Sequence, residues 1–272
     1  METTAEEIEL DLLLEAVHRR YRHDFRPYAR PSLRRRLAHA LVRFECDSLS
    51  QLQGLILRDP DLFARLLPML TVQVSEMFRD PGYFRALRAH VIPVLHTYPS
   101  PKIWVAGCST GEEVYSLAIL LQEEGLLDRT ILYATDINLE SLERAERGVF
   151  PLERIPGWSE NYREAGGRAS LSDYYTAAYG GALFDKGLRR RIVFSDHSLS
   201  TDNVFAETHL VSCRNVLIYF DRALQDRALG LFTESLVRRG FLGLGSAESL
   251  RSSALHGAYE EVVRADRIFR KK

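Results

Sequence analysis

Residues 103–118 read Ile-Trp-Val-Ala-Gly-Cys-Ser-Thr-Gly-Glu-Glu-Val-Tyr-Ser-Leu-Ala, and this stretch decides the fold. Its first four residues form an apolar run that is typical of a buried strand. The small residues from Gly107 to Gly111 predict a tight turn. The apolar spacing after the turn predicts a helix that packs against a sheet. A strand, a glycine-containing turn and a helix in this order are typical of a site for a nucleotide-like ligand.

Two carboxylates in the first turn of that helix restrict the type of ligand. Glu112 and Glu113 stand where a dinucleotide site presents a positive helix N-terminus to a pyrophosphate. Their negative charges would repel such an anion and would attract a cation. S-adenosylmethionine is a nucleoside cofactor that carries a sulfonium and an ammonium and has no phosphate. The sequence therefore predicts S-adenosylmethionine as the cofactor, bound beside Gly107, Glu112 and Glu113.

A second strand ends in an acid at a distance that suits a nucleoside. Residues 130–136 are predicted to form a strand that ends at Asp136, 25 residues after Gly111. An acid at the tip of the second strand is positioned to accept hydrogen bonds from both ribose hydroxyls. The alternative interpretation is that Asp136 caps the helix that follows.

The chain divides into a helical part and a part in which strands and helices alternate. Residues 1–90 show helical periods, and we expect an N-terminal all-α domain there. Residues 91–272 are predicted to form an α/β domain of the class I methyltransferase (Rossmann-like) type, with a mostly parallel seven-stranded sheet. The predicted strands lie at 103–107, 130–136, 191–196, 208–213 and 241–245, with two short strands in the segments 259–263 and 267–270.

Residues 148–190 fit this alternation poorly. A small antiparallel β insertion is predicted at 160–190. Within them, residues 174–184 resemble a hairpin whose turn is Gly180-Gly181. A long irregular crossover connection is the alternative.

Composition excludes several classes of protein. The 272 residues carry a net charge of −1, so the protein as a whole has no positive electrostatic field that would attract nucleic acid. Charges interrupt every apolar run, so we expect no membrane insertion and a cytoplasmic location. Cys46, Cys108 and Cys213 have no metal-ligand spacing, and no metal site is predicted.

Four blocks carry a resemblance to a known family. They are Phe78-Arg-Asp-Pro81, the stretch at 106–116, Ala134-Thr-Asp-Ile137 and Cys213-Arg-Asn-Val-Leu-Ile-Tyr-Phe-Asp221. On these blocks the chain resembles the chemoreceptor glutamate methyltransferase (CheR) family over nearly its whole length. The segment Gly245-Ser-Ala-Glu-Ser-Leu250 also resembles a block of that family.

The resemblance implies an activity and a set of site residues. The implied activity is S-adenosylmethionine-dependent methyl esterification of glutamate side chains on the cytoplasmic helices of a methyl-accepting chemotaxis receptor, in adaptation of chemosensory signalling. Arg79 and Tyr219 are the implied catalytic residues. Arg79 would lie near the methionine carboxylate of the cofactor or near the substrate. Either Arg79 or Arg214 would orient the substrate carboxylate, and Arg79 is preferred. The implied cofactor contacts are Gln73, Ser75, Arg79, Gly107, Glu112, Glu113, Asp136, Ser198, Leu199, Arg214 and Asn215. Gln73, Ser75 and Ser198 depart from the family pattern, which has Asn, Thr and Asn there.

The chemistry of this reaction makes few demands on side chains. A glutamate carboxylate is ionised near neutral pH, because its reference pKa is about 4.3. It can therefore attack a methyl group directly, and no general base is required.

A run of arginines in the helical part predicts a partner surface. Nine arginines and one acid lie between His18 and Arg43. A local cationic face on a nearly neutral protein suggests an acidic partner, which in the family is the glutamate-rich coiled coil of a chemoreceptor. The residues proposed to bind it are Arg30, Arg34, Arg35, Arg36 and Arg43. The alternative is a solvated helix face.

Three other functions are compatible with parts of the sequence. Gly107-Cys-Ser-Thr-Gly111 has the Gly-x-Ser-x-Gly pattern of a hydrolase, but in such enzymes several strands precede it. Binding of nucleic acid by the basic helices is disfavoured, because few aromatic residues lie among the arginines. A non-catalytic adaptor that binds the cofactor is the third alternative.

Overall fold

The computed structural model describes residues 4–251 and 253–272, and it shows an all-α unit followed by an α/β unit. The helices of the first unit are α1 Ala5–Tyr21, α2 Arg30–Arg43, α3 Leu49–Arg58 and α4 Pro60–Leu70. Their buried faces meet in one core that includes Leu13, Leu33, Leu52 and Leu66. Helices this short are marginal alone, so the shared burial of apolar side chains stabilises them.

The helical stretch after a connecting segment belongs to the second unit. Residues 71–80 have no regular secondary structure. The helix α5 Pro81–Ala86, a π-helical turn at Leu87–Val91 and α6 Ile92–Leu95 then follow without a break. Phe84, Leu87 and Val91 are buried in the core that covers one face of the sheet. The predicted domain boundary at residue 90 places most of this stretch in the first unit. Its buried side chains, however, pack in the core of the second unit.

A seven-stranded sheet organises the second unit. The strands of the described chain are β1 Lys102–Ala106, β2 Ile131–Asp136, β3 Val149–Pro151, β4 Tyr175–Ala178, β5 Gly181–Phe184, β6 Ile192–Asp196, β7 Thr208–Cys213, β8 Leu236–Leu244, β9 Tyr259–Val263 and β10 Ile268–Lys271. The large sheet has the order β6-β2-β1-β7-β8-β10-β9. Its first five strands in that order are parallel, and β10 runs antiparallel to both of its neighbours. The predicted fold class is confirmed.

Helices cover both faces of the large sheet, which explains the continuous apolar run in β1. They are α7 Glu112–Glu123, α8 Leu139–Arg147, α9 Ile155–Glu164, α10 Lys186–Arg189 and α11 Arg222–Ser235. Ile103 and Val105 point into the core that includes residues of α7. Trp104 and Ala106 point into the core that includes residues of α11. Every helix of the described residues is too short or too polar to cross a bilayer.

The predicted antiparallel insertion is part of a three-stranded sheet with the order β3-β5-β4. The bounds 160–190 contain β4 and β5, but β3 at Val149–Pro151 lies before them. The hairpin prediction is right, but its turn is Tyr179-Gly180 and not Gly180-Gly181. Gly181 is the first residue of β5 and pairs with Ala178. Both turn residues have positive φ, 49° for Tyr179 and 77° for Gly180, as a two-residue turn of type I′ requires. An exposed tyrosine occupies the position where glycine was expected.

Candidate active site

A cleft of about 890 Å³ opens at the carboxyl ends of β1, β2 and β7, and the helical unit forms one of its walls. Ligands bind at this edge of open α/β sheets in general. The predicted site residues that line the cleft are Arg36, Gln73, Ser75, Arg79, Gly107, Glu113, Asp136, Leu199, Arg214, Asn215 and Tyr219. Glu112, Ser198, Arg30, Arg34, Arg35 and Arg43 are not among its lining residues.

The turn after β1 lines the cleft with Gly107, Cys108 and Ser109. Gly107 has a φ of 74°, and a Cβ atom there would lie 2.5 Å from a methyl group of Val216. Gly111 has a φ of 98°, and a Cβ atom there would lie 2.8 Å from the Cβ of Ala145. Both positions therefore require glycine for conformation and for space.

Asp136 ends β2 and shapes that turn from the other side. Its Oδ2 accepts a hydrogen bond from the Ser109 N–H at 2.8 Å, and its Oδ1 accepts one from the Asn138 N–H at 3.0 Å. Burial raises the pKa of the Asp136 carboxyl, and these two backbone hydrogen bonds oppose the rise. The side chain lines the cleft, as a ribose-binding acid must. The capping role that the sequence left open belongs to Asn138, whose side chain accepts from the Ser141 N–H at the start of α8.

The two glutamates of α7 have different environments. Glu113 lines the cleft, where its Oε1 accepts a hydrogen bond from the Ser212 hydroxyl at 2.6 Å. Glu112 is buried, does not line the cleft and accepts hydrogen bonds from the Thr110 hydroxyl. Burial raises the pKa of the Glu112 carboxyl. Only Glu113 is therefore placed to face a cationic ligand.

Arg214 is buried and binds three groups of the protein. Its guanidinium donates to Glu113 Oε2 at 3.1 Å, to Asp80 Oδ2 at 2.7 Å and to the Arg79 carbonyl at 2.9 Å. The guanidinium carbon also lies 4.2 Å from the ring centroid of Tyr83, and the side chain is 1% exposed. These contacts engage its charge within the protein, so Arg214 fixes Glu113 and the connecting segment.

The connecting segment crosses the cleft with polar side chains. The Gln73 side-chain carbonyl accepts hydrogen bonds from the Ser109 and Ser141 hydroxyls at 2.9 and 2.5 Å. Arg79 also lines the cleft and is half-buried. Its guanidinium makes no hydrogen bond or ion pair with any residue in 4–251 or 253–272. Arg79 thus offers an unpaired positive charge inside the cleft.

Tyr219 makes backbone and side-chain contacts with the helical unit. Its backbone carbonyl accepts a hydrogen bond from the Ala29 N–H at 2.8 Å, and Tyr28 forms an antiparallel bridge with Phe220. The guanidinium of Arg36 lies over the Tyr219 ring, 4.9 Å from its centroid. The helical unit therefore contributes directly to the site.

Arg36 does not belong to the exposed face that the sequence predicts for it. Its guanidinium donates to the Leu70 carbonyl and, at 2.6 Å, to the Ser32 hydroxyl. Burial lowers the pKa of Arg36. It projects into the cleft because a helix turns by about 100° per residue, which separates it from its neighbour Arg35.

The remaining arginines of α2 form two groups. Arg30 and Arg34 make exposed ion pairs with Asp11 and Glu7 of α1, at 2.5 and 2.6 Å. Arg35 and Arg43 are exposed and have no ion-pair partner among the described residues. Arg35 and Arg43 therefore carry most of the available positive charge on the outer face of α2.

The segment after β6 reaches the cleft through an apolar residue. Leu199 lines the cleft, whereas the Ser198 hydroxyl lies 2.8 Å from the Ser200 hydroxyl and outside it. The neighbouring His197 also lines the cleft, and its Nε2 lies 3.1 Å from the Asn203 carbonyl oxygen. A serine at position 198 thus provides no cleft contact, in agreement with its departure from the family pattern.

Sequence reasoning missed several residues of the cleft. They are Tyr28, Thr71, Val72, Val74, Glu76, Cys108, Ser109, Ile137, Val216 and Phe220. Five of them, Cys108, Ser109, Ile137, Val216 and Phe220, lie inside the quoted family blocks. Their position beside the matched residues could have identified them as residues of the cleft. Tyr28 had no such signal, because the sequence does not show that the helical unit docks on the loop after β7.

The residues of the cleft fit S-adenosylmethionine. The turn at Gly107 lines the cleft, and Asp136 lies where the ribose of such a ligand binds. Glu113 supplies a carboxylate for a cation, and Ile137, Leu199 and Val216 supply apolar wall. A turn that is followed by acidic residues does not fit a pyrophosphate.

Comparisons with known proteins agree with this geometry. Residues 8–71 match the family model "CheR methyltransferase, all-alpha domain", and residues 73–264 match "CheR methyltransferase, SAM binding domain". The Pseudomonas putida protein named Cher3 is 58% identical over 265 residues, which cover 97% of each chain. Chemotaxis protein methyltransferase 1 of Vibrio cholerae is 30% identical over 228 residues, which cover 80% of each chain.

A solved structure gives a looser match. The N-methyltransferase NodS from Bradyrhizobium japonicum, in complex with S-adenosyl-L-homocysteine, is 15% identical and has a TM-score of 0.41. The match covers 72% of this chain and 89% of NodS. The two family models, by contrast, together span both structural units. The chain belongs to the CheR methyltransferase family and is an S-adenosylmethionine-dependent methyltransferase.

Proposed function

We propose that this methyltransferase esterifies specific glutamate side chains on the cytoplasmic helices of a methyl-accepting chemoreceptor, in adaptation of chemosensory signalling. The observation that carries the proposal is the unpaired guanidinium of Arg79 in the cleft. The next residue in the chain, Asp80, is ion-paired with Arg214. An unpaired arginine in a partly closed site is suited to an incoming carboxylate. The names of the Vibrio and Listeria relatives, which are chemotaxis protein methyltransferases, support the same substrate.

The residues of the cleft need only to bind and orient the reactants. When bound, S-adenosylmethionine supplies an electrophilic methyl group. Asp136, Glu113 and the turn at Gly107 hold that cofactor, and Arg79 orients the ionised carboxylate of the substrate. Tyr219 lies where the helical unit packs against the loop after β7, and its hydroxyl would donate a hydrogen bond to the substrate carboxylate or the cofactor. Such alignment supplies several kcal/mol of the barrier reduction.

The direct test is mass spectrometry of a receptor cytoplasmic fragment after incubation with the enzyme and isotopically labelled cofactor. We expect a labelled methyl ester on glutamate. Parallel reactions contain RNA or DNA, because a labelled nucleic acid and an unlabelled receptor would overturn the proposal. Absence of transfer to any of these, together with tight cofactor binding, would favour the adaptor function instead.

The outer face of α2 gives a second prediction. Replacing both Arg35 and Arg43 with Glu is expected to raise the KM for the receptor fragment about tenfold and to leave cofactor affinity unchanged, because both residues are exposed and unpaired. The wild-type KM should also rise with added salt, since exposed charges are screened beyond about 8 Å at physiological ionic strength. Steady-state kinetics at two salt concentrations measure both effects.

The matched control for this variant replaces Arg238 and Arg239 with Glu. These two residues are exposed at the start of β8, at the edge of the sheet opposite the cleft, and the change of net charge is the same. If both double variants alter KM equally, the α2 face has no specific role in substrate binding.

The pH dependence tests whether a general base takes part. The single-turnover rate is expected to be level from about pH 6.5 to 8.5 and to fall below about pH 5, as the substrate glutamate becomes protonated. In the part of the chain that the structure describes, His197 is the only histidine that lines the cleft, and it is buried. A sigmoid rise near pH 6.5 that disappears in a folded His197→Gln variant would show that a histidine acts as a base.

A further inference from the structure

The segment that follows β8 places a buried carboxylate beneath the loop at 213–219. Glu248 is 4% exposed. Its Oε2 accepts hydrogen bonds from the N–H groups of Gly245 at 2.6 Å and Asn215 at 3.0 Å. Its Oε1 accepts from the N–H groups of Val216 at 2.8 Å and Leu217 at 2.7 Å. One side chain thus satisfies three consecutive backbone donors of that loop.

The loop at 213–219 depends on this acceptor for its conformation. It leaves β7 and contributes Arg214, Asn215 and Tyr219 to the cleft. Asn215 has a φ of 62°, in the left-handed region that non-glycine residues seldom adopt. Three successive N–H groups that are partly or fully buried need acceptors, and a buried carboxylate is the strongest that a side chain can offer.

Gly245 shows independently that the fit is close. A Cβ atom at this position would lie 2.7 Å from the Asn215 nitrogen and 2.9 Å from Glu248 Oε2. Such contacts are too short for carbon, so only glycine permits the carboxylate and the loop to approach each other. Gly245 and Glu248 therefore both contact the loop: Gly245 packs against Asn215, and Glu248 binds the backbone N–H groups of residues 215–217.

We propose that Glu248 is a positioning residue for methyl transfer. It stabilises the conformation of the loop that presents Asn215 to the cofactor and Tyr219 to the reacting groups. Glu248 itself does not line the cleft, so it acts through that loop. A glutamine at this position keeps the shape but replaces one acceptor oxygen with a donor, which opposes the N–H groups that now point at it. The loop is then expected to relax away from the left-handed conformation at Asn215.

The test compares Glu248→Gln with Glu123→Gln in the full-length protein. Glu123 is a matched control, because its side chain is 4% exposed and also accepts a backbone hydrogen bond, from the Arg168 N–H at 2.9 Å. It lies at the far end of α7 from the cleft, about 15 Å from Glu113 by helix geometry. The measurements are the melting temperature, the Kd for S-adenosylhomocysteine by calorimetry and kcat on a receptor fragment.

Both variants are expected to melt below the wild type, and only Glu248→Gln should change the site. At a temperature well below both transitions, it should raise the Kd for S-adenosylhomocysteine about tenfold and lower kcat about thirtyfold, with Glu123→Gln within twofold of wild type. If both variants lose stability alone and keep the wild-type Kd and kcat, the proposal is wrong.

A second variant covers the case in which the first one is unfolded. If Glu248→Gln does not fold, Gly245→Ala displaces the same loop with the carboxylate retained, and we expect the same changes of Kd and kcat. Wild-type values in Gly245→Ala would then overturn the proposal. The kcat readout rests on the proposed function, whereas the Kd readout needs no methyl acceptor. A wild-type enzyme that binds S-adenosylhomocysteine and does not methylate the receptor therefore argues against the substrate and not against the role of Glu248.

Discussion

Replacing Asp136 with alanine is expected to weaken the binding of S-adenosylhomocysteine by about 10- to 100-fold. The change removes the acceptor that we propose for the ribose hydroxyls, a charge-assisted contact worth about 1.5–3 kcal/mol. It also leaves the N–H groups of Ser109 and Asn138 without their acceptor beneath the cofactor turn. Calorimetric titration of the purified variant measures the effect.

Asp136→Asn separates the two contributions. It keeps one carbonyl oxygen for a backbone donor and loses the negative charge, so we expect a weaker effect than that of alanine. The thermal transition of each variant shows whether the fold survives. An unchanged Kd in a folded Asp136→Ala variant would mean that this carboxylate only supports the turn.

Replacing Arg79 with alanine is expected to lower kcat/KM for the receptor fragment about 100-fold, with the Kd for S-adenosylhomocysteine changed much less. The guanidinium has no partner among the described residues, so its removal leaves no buried charge uncompensated. What is lost is the orientation of the substrate carboxylate, for which misplacement by about 1 Å costs about 10²-fold. Steady-state kinetics and calorimetry on the same preparation separate the two quantities.

Arg214→Ala is the informative comparison, because the two arginines are close in space and differ in bonding. Arg214 is bound to Glu113 and Asp80, and its loss leaves both carboxylates without their partner. Its variant should therefore lose stability and cofactor affinity together. Equal effects of both variants on stability, cofactor affinity and kcat would contradict a separate substrate role for Arg79.

The sheet was predictable from sequence because both of its faces are covered. Continuous apolar runs such as Ile103–Ala106 have few alternatives to a buried strand, and glycine with an acid after such runs marks the ligand edge. The start of β8 at Leu236, and not at residue 241 as predicted, shows the limit of this signal. Arg238 and Arg239 are exposed, and no apolar periodicity reports a strand there.

The site was predictable where one local block supplies its residues, and it was not where distant segments meet. Glu113 follows from the strand–turn–helix pattern at 103–118, and Asp136 follows from the end of the next strand. Arg36 and Tyr28 enter the cleft only because the helical unit docks on the loop that carries Tyr219. The periodicity of α2 identifies its buried stripe through Leu33 and Leu37, but it does not reveal which flank faces a second unit.

The bridge between Tyr28 and Phe220 has a consequence for how this enzyme can be redesigned. The family models treat the helical and cofactor-binding parts as separate segments, so exchanging them between relatives is an obvious route to a changed preference for the methyl acceptor. Here a graft of the helical segment also replaces Arg36, the partner of the Tyr219 ring. A productive chimera must therefore inherit Tyr28, Arg36 and residues 219–221 from the same parent.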